Sequence, residues 1–160
     1  MIVITVLAVG KLKEKYLAEG CRDYLKRLSR FARIQLVELP DRPAPQKYSS
    51  AQVRRVVEQE GRDILTRIEA RDEVVALAIE GKTMDSVAFS RMLETRMVEG
   101  ASRMVFVIGG SNGLSEEVLA RANLQISFSP MTFSHGVFRI VLLEQLYRAF
   151  KIMNHETYHK

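Results

Sequence analysis

Val105-Phe106-Val107-Ile108-Gly109-Gly110-Ser111-Asn112-Gly113 runs an unbroken apolar stretch into a glycine-rich turn, and Ser115 follows as the N-cap expected for a helix. A strand with no polar alternation is covered on both faces, which is the pattern of a parallel sheet. Glycines at its end let the backbone turn sharply and let a flat ligand approach closely. The spacing is G-G-x-x-G, so neither the G-x-G-x-x-G of dinucleotide folds nor the Lys-Ser/Thr of a P-loop is present. Two readings stay open at this point, a tight strand-to-helix turn and a ligand cradle.

The same punctuation recurs outward in both directions. Ile2 to Val9, Ile34 to Leu39, Glu73 to Ile79, Met104 to Ile108 and Leu124 to Phe128 read as strands. Helical periodicity falls between them, over Glu14 to Leu28, Ala51 to Ile68, Asp85 to Val98, Glu116 to Ala122 and Gly136 to Met153. This alternation predicts an α/β fold, a mostly parallel sheet flanked by helices in a single domain over 1–160. The loop Pro40 to Ser50 carries three of the four prolines and reads as a surface connection. In such a sheet ligands bind beyond the carboxyl ends of the strands. Glu80-Gly81-Lys82, Gly109 to Gly113 and Ser129 to His135 all follow strands, so one crevice can gather them.

Composition sets outer limits. Of 160 residues, 47% are hydrophobic and 27% charged, which suits a folded domain and argues against disorder. The formal charge of +5 permits a polyanionic partner and disfavours an acidic one. Cys21 is the sole cysteine, which excludes an intrachain disulfide and a cysteine-built zinc site; its spacing with Leu17, Leu25 and Leu28 makes it a core residue. Met1 to Val9 is too short to span a bilayer and has no basic run before it, so a cytoplasmic protein is expected.

On the last helix Leu142, Leu143, Leu146, Phe150 and Met153 share a face with Arg139 in its middle, while Val137, Ile140, Val141 and Tyr147 cover much of the other side. A helix apolar almost all round is buried on more than one side, and a second subunit is the expected cover. Arg139 on that face needs an anionic or carbonyl partner. Glu144 and Arg148 form an i, i+4 pair. His135, His155 and His159 lie close together near the end of the sequence but lack metal-ligand spacing, so no metal is expected.

Taken in order, these pieces resemble the RlmH family of SPOUT methyltransferases over essentially the whole sequence. The resemblance runs from Leu7-Ala8-Val9-Gly10-Lys11-Leu12-Lys13 through Leu77 to Gly81-Lys82, Phe106 to Gly113, Ser127 to Phe133, His135, Arg139, Glu144-Gln145 and Tyr147-Arg148-Ala149 to Tyr158-His159. It implies a C-terminal trefoil knot, a homodimer, and methylation of N3 of a pseudouridine in large-subunit (23S) ribosomal RNA within ribosomes, with S-adenosylmethionine as cofactor. It further implies that Leu77, Gly109, Phe128, Ser129, Pro130, Met131, Thr132 and Phe133 line the cofactor pocket. His135, Arg139, Glu144, Arg148, Tyr158 and His159 would stand on the substrate side, with Arg139 and Arg148 on phosphates or base carbonyls and Tyr158 against the base. Pseudouridine N3 must lose a proton, and His135 and His159 are the imidazoles available to take it. Ser134 and Thr157 stand where the family usually has proline, which predicts a looser loop and tail. A non-catalytic RNA- or ribosome-binding module on the same fold is the alternative reading.

Three consequences are expected. Gly109→Val should empty the cofactor pocket by filling adenosine space, and Leu146→Asp should split the dimer. The polar tail Asn154 to Lys160 should add little to stability.

Overall fold

The computed structural model describes residues 1–42 and 47–160. Pro43 and Pro45 of the proline-rich loop fall outside the described residues. The strands are β1 (Val3–Val9), β2 (Arg33–Leu39), β3 (Glu73–Thr83), β4 (Arg103–Ile108) and β5 (Leu124–Ser127), alternating with α1 (Lys15–Leu28), α2 (Ser50–Leu65), α3 (Ser86–Val98), α4 (Glu116–Arg121) and α5 (His135–Met153). All pair in parallel, in the order β2-β1-β4-β3-β5. The chain leaves β1 toward one edge and later fills the other, so β1 and β4 flank the point where the order reverses.

Alternation along the strands sorts side chains into two cores. Ile4, Val6, Ala8, Met104, Phe106, Ile108, Val75 and Ile126 face the layer that holds α1, α3 and α5. Leu7, Val9, Val74, Val105 and Val107 face Ile64 of α2 and Val118 of α4. Cys21 is buried in the first core, where burial pushes its thiol up. Among the described residues no helix is long and apolar enough to cross a membrane.

Helix starts follow their caps. Ser115 accepts the Val118 N–H at 3.2 Å, and Ser49 with Gln52 forms a capping box. Ser134, expected to loosen its loop, instead caps α5, its hydroxyl accepting from Val137 N–H at 3.4 Å. The hydroxyl replaces some of the order that a proline would supply.

Three expectations change. Glu80-Gly81-Lys82 is part of β3 and not a loop after it. Leu77 and Lys82 both pair with Ile126, so the four residues between them bulge out and return. A Cβ at Gly81 would lie 2.6 Å from the Ile126 carbonyl carbon, so only glycine lets the returning strand close on β5. Leu146 is fully buried within its own subunit against Leu142 and Leu143, so it is not an interface residue. The tail is docked: Glu156 pairs with Arg30 at 2.9 Å and Lys151 at 2.6 Å, and Tyr158 meets Tyr147 edge-on at 5.0 Å. Its polar composition hid these anchors, and removing it would cost stability.

Candidate active site

The bulge of β3, the turn after β4 and the segment after β5 converge on one cavity of about 560 Å³. Its size is that of a small-molecule site. Seven of the eight residues expected at a cofactor pocket lie on its wall: Leu77, Gly109, Phe128, Ser129, Met131, Thr132 and Phe133. Pro130 does not. His135 lines it too. Sequence reasoning placed Glu80 at this crevice but missed Ile79, which the bulge carries into the wall with it, and Leu114, Leu119 and Phe138. The isolated glycine at position 81 was the available signal for that bulge. Among the described residues Glu80 is the one acidic side chain on this wall, a ready counter-charge for a cationic ligand.

Gly109 owes its identity to its own turn. A Cβ there would meet the Gly113 carbonyl oxygen at 2.9 Å and carbon at 3.0 Å. Gly113 turns with φ +85° and returns its N–H to the Gly110 carbonyl at 3.1 Å. Valine at 109 would therefore force the turn open before it filled any ligand space, which corrects the expected cause.

Behind the turn lies Glu60 of α2, 3% exposed, with its Oε1 3.1 Å from where a Cβ on Gly110 would stand. Burial chiefly raises its carboxyl above the ordinary range and nearby Asp41 adds to this, while the Arg42 backbone N–H, donating at 3.2 Å, opposes it. A raised acid favours the folded state fully only while it is protonated, and that contribution is lost as pH rises through the folded value. Glu60→Gln should therefore melt like the wild type in acid and gain a few degrees toward neutral pH, at about 2–4 °C per kcal/mol for a chain of this size. Melting curves across about pH 4–8 check this, and a wild-type-to-variant difference that is flat with pH would refute it.

The substrate-side residues separate into two groups. Arg139 is 1% exposed on the inner face of α5. Its Nη1 donates to Glu38 Oε2 at 2.8 Å and its Nη2 to the Gly10 carbonyl at 2.7 Å. Glu38 also accepts the Leu12 N–H at 2.6 Å. Arg139 thus clamps the start of α5 to the ends of β1 and β2, and its partners are the anion and carbonyl that a buried charge requires.

Glu144, Arg148, Tyr158 and His159 gather on the opposite face. Arg148 donates to Glu144 Oε1 from Nη2 at 2.5 Å and from Nε at 3.1 Å. The Tyr158 hydroxyl donates to the same oxygen at 3.1 Å, and the Arg148 guanidinium stacks 4.7 Å over the Tyr158 ring. Burial first, then Tyr24 and Glu144, hold the Tyr158 phenol up at about 12. It is therefore a proton donor at neutral pH and not a base. Arg148 Nη1 lies 3.2 Å from His159 Nδ1. Arginine only donates, so Nδ1 accepts and the imidazole carries its proton on Nε2. In that tautomer His159 offers a donor outward, suited to a base carbonyl. His135 sits at the other end of α5, 13 residues from Arg148, about 20 Å along a helix. None of the four clustered residues lines the cavity. Among the described residues no three His, Cys, Asp or Glu converge as a metal cage.

Residues 2–159 match a family model described as "Predicted SPOUT methyltransferase". A probable methylase family protein from Haemophilus influenzae Rd KW20 is similar in structure, with a TM-score of 0.55 and 14% identity over 99% of this chain and 70% of that chain. At that identity the likeness concerns the fold. A structure described as giving insights into the 2-OH methylation of C/U34 on tRNA aligns at 18% identity and a TM-score of 0.47, over 97% of this chain and 99% of that chain.

Proposed function

Because the chain belongs to the SPOUT methyltransferase family, we propose that it methylates N3 of a pseudouridine in large-subunit (23S) ribosomal RNA, as a single-domain cytoplasmic homodimer using S-adenosylmethionine. The observation that carries this reading is the cavity itself, into which the ends of β3, β4 and β5 bring seven of the residues expected to hold that cofactor.

The wall fits the ligand. Leu77, Leu114 and Phe138 offer apolar surface for a purine, the turn from Gly109 to Gly113 offers backbone at close approach, and Glu80 offers an anion for a cationic group. When bound, S-adenosylmethionine supplies an electrophilic methyl on sulfur. The residues of this chain then have three tasks. The cavity wall excludes water and holds the acceptor nitrogen in line. His135, on the wall, takes the N3 proton. Glu144, Arg148, Tyr158 and His159 orient the base, with Arg148 and His159 presenting donors and the Tyr158 hydroxyl, whose proton goes to Glu144, presenting an acceptor. Arg139 acts at one remove, as the positioning residue that fixes the N-terminus of α5 and with it His135.

The four clustered residues lie outside the cavity of their own chain, and in this reading a second copy brings them to it. The uncovered face of α5 supports this. Val137 is 39% exposed and Val141 half-buried, in line with Glu144 and Arg148 at helical spacing. Two copies packed on this face would carry the cluster and tail of one toward the cavity of the other.

The test combines binding and chemistry. Calorimetric titration should show S-adenosylmethionine uptake by the wild type and at least about tenfold weaker uptake by Gly109→Ala, a loss of about 1.4 kcal/mol. Ribosomes incubated with enzyme and labelled cofactor should yield one N3-methylated pseudouridine by mass spectrometry. Cofactor binding without any labelled RNA would overturn the assigned substrate, and RNA binding without cofactor binding would favour the non-catalytic module.

A further inference from the structure

A second cavity, of about 870 Å³, opens at the carboxyl ends of β1 and β2; the proposed mechanism uses His135, Arg139 and the glycine turn on its inner wall but not the segment Lys11 to Glu14. Gly110 and His135 line both cavities, so the two adjoin. Its mouth is formed by Lys11, Leu12, Lys13 and Glu14. Lys15 and Tyr16 continue that lip onto the first turn of α1.

The lip has an unusual composition. Lys11, Lys13 and Lys15 are exposed at alternate positions, and their ammonium groups have no partner among the described residues. Tyr16 beside them is 68% exposed, and among the described residues no ring or cation stacks on it. Glu14 is the one acid in the run. At the inner wall Arg139, 1% exposed, keeps a buried Nε with no acceptor. Two further acids, Glu38 and Asp41, line the cavity. Glu38 is paired with Arg139 and the Leu12 N–H, so the free cations of the lip outnumber the unpaired acids.

We propose that the second cavity and its lysine lip bind the single-stranded RNA flanking the target nucleotide, with phosphates on Lys11, Lys13 and Lys15 and an adjacent base stacked on Tyr16. Free cations alternating with an exposed aromatic are what an unpaired strand recognises, since its bases have open faces and its phosphates lie in a row. The proposal rests on the reading of the chain as an RNA methyltransferase and extends it to where the substrate lies.

The test uses the full chain and a fluorescein-labelled oligouridylate of about ten nucleotides, the length one such groove covers. Lys13→Glu/Lys15→Glu should weaken binding by at least about tenfold and flatten the plot of log affinity against log salt by about 1.4, or about 0.7 for each phosphate no longer neutralised. Tyr16→Ala should weaken binding with the slope unchanged. Both variants should keep wild-type affinity for S-adenosylmethionine, because no changed residue lines the first cavity. All three side chains are exposed, and glutamate at the start of α1 suits the helix, so folding is retained. The proposal is overturned if the wild type does not bind the oligonucleotide, or if the charge reversal leaves affinity and slope intact. It is also overturned if the variants change oligomeric mass in light scattering, which would make the lip a subunit contact. A wild type that binds the oligonucleotide through this lip but takes up no S-adenosylmethionine would refute the methyltransferase reading and leave the RNA site standing.

Discussion

Arg148→Ala is expected to lower methyl transfer by at least about a hundredfold, the scale on which lost positioning or proton-handling groups are felt. Cofactor affinity should hold, since Arg148 does not line the cavity. Its guanidinium joins three of the groups assigned to the base, donating to Glu144, facing His159 Nδ1 and covering the Tyr158 ring. Alanine leaves Glu144 with donors from Tyr158 and Gln145, so the fold survives, while His159 loses the donor that sets its tautomer. Single-turnover assays on ribosomes measure the loss. An Arg148→Ala enzyme with full turnover would remove the cluster from the mechanism.

The same variant decides which subunit the cluster serves. Mixed with an equal amount of Gly109→Ala chain, it should restore activity to about a quarter of the wild-type level, because half the dimers are mixed and each has one intact site of two. That recovery requires the cavity of one chain to work with the cluster of the other. If both act within one chain, every site in the mixture carries a lesion and nothing returns.

Much of the fold is legible in the residues alone. Val105 to Ile108 announces a doubly covered strand because neither of its faces meets water, and Ser115 announces a helix because its hydroxyl has an N–H to accept. What sequence does not supply is long-range. A buried arginine at 139 demands a partner, but nothing local shows that Glu38, 101 residues away, is the one. Likewise the tail is polar in composition, yet Tyr158 and Glu156 tie it down through Tyr147 on α5 and Arg30 just after α1, which only the fold brings near. The bulge of β3 is hidden for a different reason. Its two ends pair with the same residue of β5, and a register break of that kind leaves only a single glycine as its trace.

A helical wheel also shows which residues share a face without showing what covers it, and two aspartate substitutions on α5 separate these cases. Leu146→Asp should not fold. Its side chain is fully buried among Leu142, Leu143 and the aromatic core, and an unpaired carboxylate there costs about 5 kcal/mol or more, comparable with the whole stability of a domain. Val141→Asp places the same charge on the half-exposed face, where a free monomer would tolerate it with little loss. In a dimer built on that face two carboxylates would be buried close together near the symmetry axis, so the variant should fold and run as a monomer. Circular dichroism melts and light scattering read both outcomes. A Leu146→Asp protein that melts like the wild type would contradict the packing of α5, and a Val141→Asp protein that stays dimeric would move the subunit contact to another surface. Monomeric Val141→Asp should also lose methyl transfer while still binding S-adenosylmethionine, because each cavity would then be parted from the partner's Arg148 and Tyr158.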